Sequence, residues 1–393
     1  MEKLVLIVLA GLMLISCKKE PETTPPIKAD RTVLVYMAVS NLTSQAELNL
    51  ADMAAGMEGL SGNLIVYVNR YPGNAALYRV NDDQTMVEVA QCGKEDPASA
   101  EVLQRVWNTT VQQFPADSYG LVIWGHATGW VPADLNITNQ RSKPIGEELS
   151  QPLQGMEQQI WTQMPNALPT KAFGGDMEIS DMVVALPQDR KLDFLLFDAC
   201  FMSSIEALYD LRNTAQYIIA SPTEVMGDGF PYTDVTPLFF QETLNLQGIC
   251  QAFVDSYRYS SSVQSASVAL INTSELEQLA IAVRNLYEAF PDPSVDLDEV
   301  QPFESLTRHV FYDMEDYFKQ FAEGSSQFEA FQSQLAKTVV FSDCTDWIYS
   351  AYGAMFQCVN YCGISTYVPQ DVFPVYGAAY AETAWAKAIG MSN

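Results

Sequence analysis

Few residues in this chain could do covalent chemistry. It holds two histidines and seven cysteines. His126 stands in LVIWGHATGW (121–130), where an apolar, β-prone run stops at a glycine. Cys200 ends a second such run, LDFLLFDAC (192–200). An imidazole beside a thiol can take its proton and leave the thiolate, the reactive form of cysteine. If the two strands are neighbours, both groups protrude from one rim. Gly125 and the small Ala127 let a carbonyl approach the backbone, where an amide N–H can stabilise an oxyanion. Asp198 lies two residues before Cys200, so on a strand its side chain faces the same side. A second reading of Asp198 is a cap on the following helix. His309 sits in SLTRHVFYDMEDYF, an aromatic, helical-looking stretch far from any glycine-rich turn, and reads as structural.

The elements that must position these groups alternate. RTVLVYMAV (31–39), NLIVYVNRY (63–71), YGLVIWGH (119–126), LDFLLFDAC (192–200) and AQYIIASP (215–222) are apolar on both faces, the pattern of parallel strands covered by helices. Helices are predicted at 43–57 with Thr43 or Ser44 as N-cap, at 98–113, and at 203–212 behind a Ser203/Glu206 capping box. Beyond them come a strand at 265–274, helices near 275–290 and 303–323, and a late strand at 363–369. The fold class is α/β. Residues 127–178 interrupt the alternation with a long loop rich in proline and glycine, and loops of that length are usually functional or disordered. Ligands bind at the carboxyl ends of strands in open α/β sheets, where His126, Cys200 and this loop all lie.

At 393 residues with 48% hydrophobic content the chain can bury one large core or two smaller ones. Its 48 acidic and 21 basic residues give a net charge of -27, which argues against nucleic acid as a partner. Lys3, the apolar stretch Leu4 to Leu14, and LISC at 14–17 resemble the lipobox of bacterial lipoprotein signal peptides. That resemblance implies a signal peptide over 1–16, lipid on Cys17, a proline-rich tether over 17–30, and a lipid-anchored protein of the bacterial cell envelope, periplasmic or surface-exposed. Six cysteines remain, at 92, 200, 250, 344, 358 and 362. Export permits disulfides, but the chain is too large to need them, and most of these thiols read as buried small hydrophobes. No spacing demands a metal.

WGHATGW (124–130) and FDACFMSSIEAL (197–208) resemble the signatures of the clostripain family of cysteine peptidases, within the caspase-like clan. RTVLVYMAVSNLTSQAELNLADM (31–53) and ASPTEVMGDGFPY (220–232) resemble its first strand and helix and the segment after its cysteine strand. The resemblance implies a caspase-like, mostly parallel sheet with helices on both faces over 31–265, and a C-terminal α/β extension over 266–393 packed on it. It implies His126 as catalytic histidine, Cys200 as nucleophile, the N–H groups of Ala127 and Cys200 as oxyanion donors, and Asp198 as the acidic floor of a pocket. The expected substrates are proteins or peptides with Arg or Lys before the scissile bond. No cofactor is required, though calcium is admitted by the resemblance.

Members of the family are often matured by self-cleavage between the histidine and cysteine strands, and the 127–178 loop carries Arg141, Lys143 and Lys171. Pro144 blocks a cut after Lys143. That leaves Arg141 and Lys171, of which Lys171 is the favoured site: Pro169 extends the segment before it, a glycine pair bends the chain after it, and Ala172 is easily seated. The cut is therefore expected between Lys171 and Ala172; the alternative is that the loop is an uncut lid. The chain departs from the family at Ala127, where glycine is usual. If that backbone needs positive φ, alanine costs roughly 1 kcal/mol. The alternative function is a weak or inactive lipid-anchored peptide-binding module on a peptidase fold.

Overall fold

The structure, a computed structural model, describes residues 28–70, 72–132, 135, 168–171, 177–260, 262–306, 308–351 and 355–392. Its centre is a nine-stranded sheet built from β1 (Ala29–Ala38), β2 (Asn63–Asn69), β3 (Ala75–Val80), β4 (Met86–Gly93), β5 (Ala116–Trp124), β6 (Leu192–Asp198), β7 (Ala215–Ala220), β8 (Ser267–Asn272) and β10 (Val339–Cys344). The strand order is β10-β8-β7-β6-β5-β1-β2-β3-β4. The five strands from β7 to β2 pair in parallel, while β3 with β4 on one flank and β8 with β10 on the other are antiparallel. The central strands are buried along nearly their whole length, as their apolar runs require. From β1 the chain winds one way to β2 and the other way to β5, so the order reverses between β1 and β5. A crevice forms at the carboxyl ends there.

Helices cover both faces. α1 (Thr43–Gly56), α5 (Tyr232–Phe239) and α6 (Leu246–Arg258) pack in one continuous group. α2 (Ala100–Gln113), α3 (Ile179–Ala185), α4 (Ile205–Asp210), α7 (Leu276–Ala289), α8 (Met314–Ala322), α9 (Ser326–Thr338), α10 (Pro374–Glu382) and α11 (Ala384–Ile389) form the other. Pairs of two-residue strands complete the described residues: β9 (Tyr312–Asp313) with β13 (Ser365–Thr366), and β11 (Trp347–Ile348) with β12 (Phe356–Gln357). Residues beyond 265 supply β8 and β10, so this part of the chain extends the same sheet. Among the described residues no helix is long and apolar enough to cross a membrane.

Several local expectations are corrected. The helix expected over 303–323 begins only at Met314, capped by the Asp313 carboxylate on the Asp316 N–H. The residues before it form a loop because buried Glu304 accepts the N–H groups of Leu306, Val310 and Phe311. The Ser203/Glu206 capping box does not form. Ser203 donates to the Gly363 carbonyl at 2.6 Å, and Glu206 accepts the Tyr367 N–H at 2.8 Å, so both hold the C-terminal segment instead. The N-cap of α1 is Leu42, without a side-chain cap. The late strand shrinks to Ser365–Thr366.

Candidate active site

β5 and β6 are parallel neighbours in which Trp124 lies opposite Asp198. His126 and Cys200 each follow two residues later, so the two side chains leave the same rim from adjacent strand ends. Two backbone features shape that rim. Gly125 has φ 153°, and a Cβ there would press on the Ala38 carbonyl at 2.9 Å. Phe201, straight after the cysteine, takes a left-handed φ of 60°, held by its ring stacked on Phe311 at 4.6 Å. Ala127 is absent from the positive-φ residues, so alanine carries no backbone penalty there.

The Cys200 thiol is buried; its sulfur accepts the Val225 N–H at 3.0 Å and points toward the Val225 carbonyl at 3.6 Å. Burial, with the Glu224 charge next, pushes its pKa well up, so the thiol is protonated. The His126 Nε2–H donates to Asn41 Oδ1, just past β1, at 2.6 Å, and the contact fixes the plane and tautomer of the ring. Burial first, and the Lys171 ammonium second, lower the His126 pKa to about 4. The imidazole is neutral at pH 7.

The loop segment expected to be cut reaches into this rim. Thr170 pairs antiparallel with Met226, the Lys171 N–H donates to the Val225 carbonyl at 2.9 Å, and the Gly227 N–H donates to the Pro169 carbonyl at 2.8 Å. Residues 169–171 thus lie as an added strand along 225–227. The Lys171 carbonyl accepts the Ala127 N–H at 2.9 Å, and the Lys171 backbone also meets the His126 ring. The Lys171 side chain, wholly buried, ends 2.5 Å from Asp198 Oδ1 and 4.3 Å from the centre of the Trp124 ring. Asp198 Oδ2 accepts the Tyr232 hydroxyl at 2.9 Å and the Phe230 N–H at 3.4 Å. Gly229, at φ 66°, borders the pair, and a Cβ there would collide with both charged groups. Burial pulls Lys171 toward its neutral form, and Asp198 opposes it. Asp198 is thus the buried partner of the Lys171 ammonium, and the N-cap of α4 is Ser204.

The structure brings His126, Ala127, Lys171, Asp198 and Cys200 together. Ala172, Arg141, Lys143 and Cys17 lie outside the described residues. His309 is elsewhere, with Nδ1 2.7 Å from Glu304 Oε2. Burial works against its charge, but the hydrogen bond and charge of Glu304 outweigh it and raise its pKa. Asn41, Trp124, Val225, Gly229 and Tyr232 escaped the reading of the sequence. Asn41 had a usable signal, since it stands just beyond the carboxyl end of β1 at the point where the strand order reverses. Among the described residues no three His, Cys, Asp or Glu side chains gather to hold a metal. No calcium site is assigned.

A mostly parallel sheet of this order, with helices on both faces, defines a caspase-like protein. A sequence model of the clostripain family matches residues 35–146 and 171–388. The chain belongs to the clostripain family and is a cysteine-type peptidase. It is similar to an inactive zymogen C11 protease from Parabacteroides distasonis at 29% identity and TM-score 0.76, covering 93% of this chain and 99% of that one. It is similar to a secreted C11 cysteine protease from Bacteroides thetaiotaomicron in complex with an irreversible peptide inhibitor, at 27% identity and TM-score 0.73, covering 92% and 98%. Another secreted C11 protease from that organism, named iotapain, matches in fold at 22% identity and TM-score 0.77, covering 92% and 100%. No curated protein sequence gives a significant match.

Proposed function

We propose that the chain is an endopeptidase that cleaves after Lys or Arg with a Cys200–His126 dyad, and that its first substrate is its own Lys171–Ala172 bond. The observation that carries this reading is the placement of Lys171. Its side chain ends on Asp198, its backbone pairs with Val225, and its carbonyl rests on the Ala127 N–H. That is how a substrate with a basic residue before the scissile bond would sit.

In the proposed reaction His126 takes the Cys200 proton and the thiolate attacks the Lys171 carbonyl carbon. Charge developing on the carbonyl oxygen is met by the Ala127 N–H, with the Cys200 N–H as second donor. His126 then passes the proton to the leaving Ala172 amine, and water hydrolyses the thioester. The uncut form is a slow catalyst on this reading, because burial and the Lys171 cation hold the imidazole at low basicity. Departure of Lys171 frees the pocket and removes one of the two causes. The reading of a weak or inactive binding module loses one of its two motives, since Ala127 does not need positive φ, and keeps the other, the long loop.

The test is hydrolysis of fluorogenic peptides ending in Arg or Lys by the cut protein, with Cys200→Ala as control. Full activity in that variant would remove Cys200 from the chemistry. Export and lipidation of Cys17 are part of the same proposal, supported by LISC at 14–17. They predict incorporation of labelled palmitate that is lost in Cys17→Ala.

A further inference from the structure

Two cysteines outside the active site face each other. Cys344 at the end of β10 and Cys358 just after β12 are 14 residues apart in sequence, both partly exposed, with their sulfurs 3.1 Å apart. Among the described residues the other thiols are placed differently: Cys200, Cys250 and Cys362 are buried, and Cys92 lies beside Arg105.

We infer that Cys344 and Cys358 form a disulfide, and that this bond braces the wall of the active site. Backbone contacts hold the segments that carry the two sulfurs together. The Cys358 N–H donates to the Asp346 carbonyl at 2.9 Å, and β11 pairs with β12 between the two cysteines. On the other side Arg258 holds the Asp343 carboxylate at 2.7 Å and the Cys344 carbonyl at 3.0 Å. Closing the sulfurs to bonding distance asks for about 1 Å of approach, within reach of side-chain rotation. The step is thiol–disulfide exchange. Each sulfur loses a proton, and the pair passes two electrons to an incoming disulfide, which leaves as two thiols. An exported chain meets such partners, and a low-molecular-weight disulfide serves equally in vitro.

The bracing follows from what the enclosed residues touch. Thr345 Oγ1 accepts the Ala266 N–H at 3.0 Å, and the Tyr349 N–H donates to Ser265 at 2.8 Å. The Tyr349 hydroxyl accepts the Leu168 N–H at 2.7 Å, three residues before Lys171. The Ala351 N–H donates to Glu224 Oε1 at 2.9 Å, next to the Val225 that holds the Cys200 sulfur. One covalent link at the base thus restrains contacts to the two segments that lead to Lys171 and to Val225.

The inference needs no catalysis, so it is tested in Cys200→Ala. The full chain is incubated with oxidised glutathione, then denatured and alkylated without reduction. Peptide mass mapping is expected to find Cys344 and Cys358 linked to each other, with Cys92, Cys250 and Cys362 alkylated. Alkylation of both, or glutathione on either, overturns the bond. A Cys344→Ser/Cys358→Ser form is then compared with the oxidised protein by thermal unfolding and amide exchange. The variant is expected to melt several degrees lower and to exchange the amides of Leu168 and Ala351 faster. Unchanged exchange at those two amides overturns the brace even where the bond forms.

Discussion

Exchanging Asp198 for Asn keeps the shape of the pocket floor and removes its charge. An ammonium 2.5 Å from the carboxylate oxygen, as Lys171 is, has a gross attraction of about 7 kcal/mol at an effective dielectric near 20. Stripping water from both groups offsets much of that, and removing one partner of a buried pair typically costs about 3–5 kcal/mol. The Trp124 face, 4.3 Å from the ammonium, stays in place and retains part of the cation binding. At about 1.4 kcal/mol per decade, kcat/KM for a Lys substrate should fall roughly 100- to 1000-fold. A substrate with methionine in place of lysine has the length without the charge and should change less than about tenfold. The assay measures kcat/KM for the two peptides with parent and variant both cut after Lys171 by an added lysine-specific protease that is then removed, after circular dichroism has shown the variant folded. A Lys substrate that loses less than about tenfold would refute the role given to Asp198, and equal losses on both peptides would show a damaged pocket instead.

Other expectations follow from the same geometry. Asn41→Ala removes the 2.6 Å contact to His126, and a hydrogen bond to an imidazole that becomes charged is worth about 1–3 kcal/mol, so kcat should fall roughly 10- to 100-fold with KM little changed; an unchanged kcat would remove Asn41 from the site. With only two histidines, NMR of Cys200→Ala can follow both rings. His126 should titrate near pH 4 and His309 above its ordinary value, and Lys171→Met should move the His126 midpoint upward; two midpoints near 6.5 would contradict the burial of His126 and the pairing of His309 with Glu304. Burial raises the Glu206 pKa to about 7, so its protonated form stabilises the fold at low pH and that contribution is lost as pH rises from about 4.5 through 7. Glu206→Gln should therefore gain roughly 3 kcal/mol relative to the parent between pH 4.5 and pH 8 in chemical denaturation, and parallel pH profiles for the two proteins would refute it.

The central strands, and the placement of His126 and Cys200 just past adjacent strand ends, were legible because their signals are local. A run such as LDFLLFD can be buried only on both faces, and a strand end fixes where the next residues point. The β3–β4 hairpin escaped because β4, at the sheet edge, is half exposed and carries Glu88 and Gln91 among its apolar residues. The stretch before Tyr312 read as helix because its aromatics have helical spacing, while the force that turns Val310 and Phe311 out of a helix comes from one buried carboxylate, Glu304. Asp198 could be named from strand periodicity, but its partners could not. Tyr232, Gly229 and Lys171 reach it from distant parts of the chain, and only tertiary packing brings them together.

The most direct test is to incubate the wild-type and Cys200→Ala proteins side by side and to read intact masses and new amino termini over time. The wild type is expected to yield two associated chains, the second beginning at Ala172, with activity on Lys and Arg peptides rising in step, while Cys200→Ala stays whole. A wild-type protein fully active as one chain, or a cut after Lys171 appearing equally in Cys200→Ala, would contradict a Cys200 peptidase whose own lysine fills its pocket.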